Sequence, residues 1–155
     1  MTSSQACGYS LIELMFVIAV FAILAVIATP YIGTMYQSQR VKNAMMDVNA
    51  SVNFARSEAV KRNAQIDVKA ATGGWAAGWT IQAGSTVLRT QGALDRVDVA
   101  EKHAETEFSF AGNGRMSTSS VSLTVSPVES DSKQPPLCVK VETTGRVRVT
   151  DGACS

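Results

Sequence analysis

The sequence predicts an α+β chain: a long N-terminal transmembrane and amphipathic helix packed on an antiparallel β-sheet C-terminal domain. Three observations predict it. Residues Leu14 to Ala28 (LMFVIAVFAILAVIA) are all apolar, and Leu11 and Ile12 extend them to an 18-residue segment interrupted only by Glu13. Between Val41 and Ala59 apolar residues recur at spacings of three and four. From Gln65 onward the period changes to two, with turn residues between the runs.

At 1.5 Å per residue the apolar segment reaches roughly 27 Å, enough for a bilayer core. A single span must satisfy its backbone internally, so it is helical. A cleaved secretory signal would need a basic n-region and a small-residue cleavage site. Met1 to Gly8 (MTSSQACG) contains no Lys or Arg, and Thr29-Pro30-Tyr31 is a poor cleavage site. Arg40 and Lys42 follow the run and nothing basic precedes it, so charge bias alone does not predict an exported C-terminus. Glu13 is costly in hydrocarbon, by about 2.5 to 3.5 kcal/mol on insertion scales. It must either reach the headgroups from the helix end or meet an opposite charge.

Pro30 removes one backbone donor and is expected to kink the helix rather than end it. Beyond it Val41, Met45, Val48, Val52, Ala55 and Ala59 lie on one stripe. Glu58 and Arg62 make a favourable i,i+4 pair. One helix is therefore expected from about Tyr9 to Arg62. Its division is a leader at 1–8, a membrane segment at 9–29 and an amphipathic half at 30–63. A β-rich domain at 64–155 follows.

In that domain strands are expected at Gln65–Lys69, Trp79–Ala83, Thr86–Thr90, Val97–Ala100, Glu107–Phe110, Val121–Ser126, Leu137–Glu142 and Arg146–Thr150. Gly73-Gly74, Asn113-Gly114, Pro135-Pro136 and Thr144-Gly145 punctuate them. One antiparallel sheet with one buried face is expected, covered by the amphipathic helix. Glu129 to Pro136 (ESDSKQPP) is expected to be a loop.

The charges nearly cancel, with 14 Lys and Arg against 13 Asp and Glu, which excludes a globally basic nucleic-acid binder. Three cysteines are present: Cys7, Cys138 and Cys154. If Cys7 leaves with a leader, Cys138 and Cys154 remain for a disulfide worth about 3 kcal/mol in the chain-entropy model. The other reading is two free thiols in a reducing compartment. No CxxC occurs and the lone His103 is remote, so no metal site is expected. No serine or cysteine has a nucleophile context, and Gly112-Asn113-Gly114-Arg115 is a turn rather than a phosphate loop. Neither an enzyme nor a cofactor is expected.

Gly8-Tyr9-Ser10-Leu11-Ile12-Glu13 resembles the processing site of type IV prepilins, in which a membrane peptidase cuts after the Gly. The family usually presents Phe where Tyr9 stands, and a basic leader. The resemblance implies that Gly8 and Tyr9 flank the cut. Glu13 then becomes the fifth mature residue and pairs with a neighbouring subunit's N-terminal amine, with Pro30 at the family's kink. Asn53 to Asn63 (NFARSEAVKRN) with Gly74 to Trp79 (GWAAGW) resembles the GspH/FimT family of minor pilins and pseudopilins. Both stretches read as structural marks, helix–sheet packing and two buried indoles; an aromatic ligand site at Trp75 and Trp79 is the less common alternative.

The C-terminal stretch alternates. Val139, Val141, Val147 and Val149 are expected to face inward and Lys140, Glu142, Arg146 and Arg148 outward. Gly145-Arg146-Val147-Arg148 resembles the GRxR motif associated with DNA binding in FimT-type minor pilins. That makes Lys140, Arg146 and Arg148 candidate DNA contacts, against the alternative that they keep an exposed strand soluble. The resemblances imply a minor pilin at or near the tip of a type IV pilus, where it helps to initiate assembly. It would be held first in the bacterial inner membrane with its domain periplasmic, and later in the fibre. Its partners would be other minor and major pilins, prepilin peptidase and DNA. The alternative is a type II secretion pseudopilin.

Overall fold

The computed structural model describes residues 10–129 and 134–155, with the backbone alone at 27–34. The processing residues Gly8 and Tyr9 and the centre of the Glu129–Pro136 loop lie outside the described residues, and at Pro30 the helix does not end, as expected. The first element, α1, is Leu11–Arg62. The chain forms two compact units, 1–35 and 36–155, and α1 contributes to both.

In the first unit every described side chain from Ser10 to Val26 is exposed. Leu11, Ile12, Phe16 and Phe21 are among them, and a helix apolar on all sides has no inward face of its own. Among the described residues no helix is long and apolar enough to cross a membrane. The expected 9–29 segment extends past the described side chains at both ends.

The second unit has eight strands after the helix. They are β1 (Ile66–Ala71), β2 (Gly74–Ala83), β3 (Thr86–Gln91), β4 (Val97–Glu101), β5 (Glu107–Phe110), β6 (Val121–Pro127), β7 (Leu137–Val141) and β8 (Val147–Asp151). They form two four-stranded sheets rather than the one expected, in the orders β3-β2-β1-β5 and β4-β6-β7-β8. Every pairing is antiparallel. Alternation tells which face of a strand is buried but not which sheet receives it, and the chain changes sheet after β3, β4 and β5. Arg96 and Ala104, both with positive φ, stand at two of these crossings.

The stripe of α1 closes one core over both sheets. Val41, Val48, Val52, Ala55 and Ala59 are buried as the spacing predicts. Met45 is only half-buried, and Ala44 takes its place at the interface. Ile66, Ile81, Phe108 and Phe110 meet the stripe from the first sheet, and Leu123, Val125, Val139 and Val141 from the second. Each such side chain stabilises the fold by about 1.5 to 3 kcal/mol when fully buried. Asn63 ends the helix with φ 47°, while the Ala64 N–H returns to the Ala59 carbonyl at 3.2 Å.

The GWxxGW stretch lies wholly within β2, and both indoles are buried. Trp75 stacks on Phe108 at 5.5 Å and donates its Nε1–H to the Glu105 carbonyl at 2.8 Å. Gly78 between the indoles has φ 106°, and a Cβ there would collide with the Gln91 carbonyl oxygen. A Gly78→Ala variant is therefore expected to lose about 2 to 4 kcal/mol, from strain plus the clash. Urea unfolding checks this, and Gly84→Ala is the control: φ is positive there too, but a Cβ would meet nothing within 4 Å.

Candidate functional site: the C-terminal hairpin and its anchor

β7 and β8 form the hairpin expected from sequence. Lys140 lies directly across from Arg148, and Val141 across from Val147. The turn is closed by the Gly145 N–H to the Glu142 carbonyl at 2.7 Å and the Glu142 N–H to the Arg146 carbonyl at 2.9 Å. Lys140, Arg146 and Arg148 are all exposed. Two parts of the expectation change. Val149 is exposed rather than inward, because β8 is the outermost strand of its sheet and α1 does not reach it. Arg148 is not a free cation: its guanidinium lies 3.5 Å from Glu142 Oε1, an exposed pair of small energetic worth that nonetheless offsets local charge.

Cys138 and Cys154 form a disulfide with a Cα–Cα distance of 5.0 Å. Gly152, at φ 98°, turns the chain end back, its N–H donating to the Pro136 carbonyl at 2.8 Å. The Cys154 N–H then donates to Thr124 Oγ1 at 3.1 Å. The tail is thereby tied to β6 and β7. Replacing Cys138 and Cys154 together by Ser is expected to cost about 3 kcal/mol, read from the shift in the urea midpoint.

The anchor of the hairpin was not legible in the sequence. Arg56, in the ARSEA stretch of α1, donates Nη1–H to the Gly145 carbonyl at 3.2 Å, across 89 residues of chain. Gly114 and Gly145 both have positive φ and touch each other: a Cβ on Gly145 would stand 2.5 Å from the Gly114 carbonyl oxygen and 3.1 Å from Arg56 Nε. A Cβ on Gly114 would stand 2.9 Å from Val60 Cγ2 and 3.3 Å from Arg56 Nε. The Met116 N–H donates to the Thr143 carbonyl at 3.0 Å and fastens the two turns together. Gly112-Asn113-Gly114-Arg115 is thus a turn, as read, but one that holds the hairpin. Arg115, which follows Gly114, is exposed. Two glycine turns with Arg next in each were the available signal; their contact was not.

Two residues further along α1, Glu58 accepts from Arg62 Nε at 2.6 Å and from Lys61 Nζ at 3.3 Å. The hydrogen bond from Arg62 holds its carboxyl below the ordinary value, assisted by Lys61 and opposed by burial. A carboxyl lowered in the folded state contributes stability that is present above its unfolded value and lost as pH falls through the folded one. Unfolding measured across acid pH is therefore expected to steepen below the ordinary glutamate range, and Glu58→Gln to flatten that dependence.

The other candidates carry less. Trp75 and Trp79 flank a cavity of only about 10 Å³, room for one water rather than an aromatic ligand. His103 is exposed, with its backbone N–H held by Glu101. Glu13 is exposed on the first turn of α1. Among the described residues no group of three His, Cys, Asp or Glu is placed to hold a metal ion.

Against known proteins, the family described as type II transport protein GspH matches residues 44–145. The prokaryotic N-terminal methylation motif matches residues 3–29. The chain is similar in fold to the type IV minor pilin FimU of Pseudomonas aeruginosa (strain PAO1) in two crystal forms. One is 21% identical with a TM-score of 0.64, covering 72% of this chain and 89% of that one. The other is 22% identical with a TM-score of 0.61, covering 70% and 91%. No curated protein matches the sequence. With two thirds of its length inside one family's pattern, behind a methylation motif, the chain belongs to the GspH/FimT-like family of type IV minor pilins and pseudopilins.

Proposed function

We propose that the chain is a minor pilin of a type IV pilus, incorporated at or near the tip, where it helps to initiate assembly. One observation carries this reading: a methylation motif over 3–29 stands directly ahead of a GspH-family domain in the same chain. Prepilin peptidase cuts between Gly8 and Tyr9. Segment 9–29 holds the subunit in the inner membrane with its domain in the periplasm, then packs in the filament core beside other minor and major pilins. Glu13 meets the amine of a neighbour's processed N-terminus, because a carboxylate in hydrocarbon gains most from an opposite charge. The exposed apolar side chains of the described 11–26 stretch are consistent with a helix whose partners are lipid and other subunits.

Deleting the gene and restoring it as wild type or Glu13→Ala tests the reading. Loss of surface pili on deletion, with protein secretion intact, is expected; the Glu13→Ala subunit should be processed but depleted from sheared fibres. Loss of secretion with pili intact would instead make the chain a type II secretion pseudopilin.

A second reading is DNA contact by Lys140, Arg146 and Arg148, supported by the opposition of Lys140 and Arg148 on one exposed face. Few phosphate contacts give weak binding that falls steeply with salt, and display of subunits on one fibre raises it by avidity. An Arg146→Gln/Arg148→Gln variant is expected to lose salt-dependent binding to duplex DNA. Equal binding by variant and wild type would remove these residues from the reading.

A further inference from the structure

Two polar groups of the core have no hydrogen-bond partner in the protein: the Ser51 hydroxyl on α1 and the Trp79 indole N–H on β2. Each residue is only 2% exposed, so bulk solvent does not serve them. Their near counterparts show the contrast. Trp75, four residues before Trp79, donates its Nε1–H to the Glu105 carbonyl at 2.8 Å. Ser57, on the same helix as Ser51, returns its hydroxyl to the Phe54 carbonyl at 2.8 Å. A helical serine often satisfies itself on its own backbone in that way, and Ser51 does not.

Both residues stand on the wall of one cavity of about 10 Å³ between α1 and the two sheets. Val48 and Val52 of α1, Phe108 of the first sheet and Leu123 of the second supply much of the apolar remainder. The volume is that of a single water and excludes any organic ligand. The chemistry of the wall narrows the occupant further. An indole offers a donor only, which turns away a cation, and no charged side chain lines the cavity to hold an anion. A wholly apolar cavity of this size would stay dry, but a buried N–H and a buried hydroxyl both gain from a shared partner. Water supplies it by accepting from the indole and donating to the hydroxyl oxygen, at a small cost in immobilisation.

We propose that Ser51 and Trp79 hold one buried water between them, as a polar bridge from α1 to β2. The bridge gives the helix a register that its valines and alanines do not give alone. Apolar contact is non-directional, whereas the bridge is made only where hydroxyl and indole face each other across the cavity. Sliding α1 along the sheets would leave both groups buried and unpaired.

The test uses the full chain in non-ionic detergent, disulfide intact, as wild type and Ser51→Ala. Magnetic relaxation dispersion of the water oxygen detects long-lived internal water and is blind to the serine hydroxyl. The wild type is expected to hold a long-lived water that Ser51→Ala lacks. With the indole nitrogens labelled, the Trp79 N–H is expected to show an NMR cross-peak to water that is lost in Ser51→Ala. The Trp75 N–H, held by the Glu105 carbonyl, is expected to keep its signal and so to report an intact fold. The urea midpoint of the variant is expected to fall. Equal internal water in the two proteins, or a wild-type Trp79 N–H without a water cross-peak, would overturn the proposal. Should the variant fail to fold, crystals of the wild type decide: density within hydrogen-bond distance of both Ser51 Oγ and Trp79 Nε1 is expected. A direct bond between the two side chains, a dry cavity, or a water touching only one of them would overturn the bridge.

Discussion

A single stripe of small and β-branched residues on α1, from Val41 to Ala59, serves two sheets at once, and the second unit depends on that shared contact. Both four-stranded sheets turn their buried side chains into the one cluster that this stripe closes. Ala44, Ala55 and Ala59 keep the helix surface low enough for both sheets to reach it, while Val41, Val48 and Val52 fill the space between them. Bulkier residues at the alanine positions would overpack the interface, and polar ones would open it to water. The same helix that supplies the core also supplies Arg56, so the surface hairpin is positioned from the middle of the molecule and not only from its own strands.

Much of this was legible in the chain. Spacing of three and four is a property of a helix face, and it marked the buried stripe within one residue. Period two, with the turn residues between the runs, located all eight strands, although β3 and β8 bury no residue fully. What spacing cannot carry is choice of partner. β4 and β5 are consecutive, yet they join different sheets, and the apolar spacing of Val97–Glu101 and Glu107–Phe110 does not name the partner of either. The inward placement of Val149 failed for the same reason: alternation assumes a covering layer, and at the outermost strand there is none.

The candidate site divides in the same way. Lys140, Arg146 and Arg148 could be read because alternation places them together on one short hairpin. The ion pair from Arg148 to Glu142 depends on side-chain reach, which the strand pattern leaves open. Arg56 was invisible as the anchor of the hairpin, since its hydrogen bond to Gly145 spans 89 residues, and the contact of the two glycine turns was equally hidden. The glycines themselves were the more informative letters. Each marks a backbone that is both left-handed and closely approached.

The position of β8 has a consequence for a protein of a family that associates with other pilins. An outermost strand offers a ladder of unsatisfied backbone groups to any strand that comes beside it. Uncontrolled pairing there would convert ordered stacking into amyloid-like aggregation. β8 is only five residues long, and charged side chains flank and interrupt it at Arg146, Arg148 and Asp151. The tail cannot lengthen it either, because Gly152 turns the chain away and Cys154 fastens it to Cys138. Short length, charged side chains and a clipped end together guard that edge against pairing with a neighbouring strand.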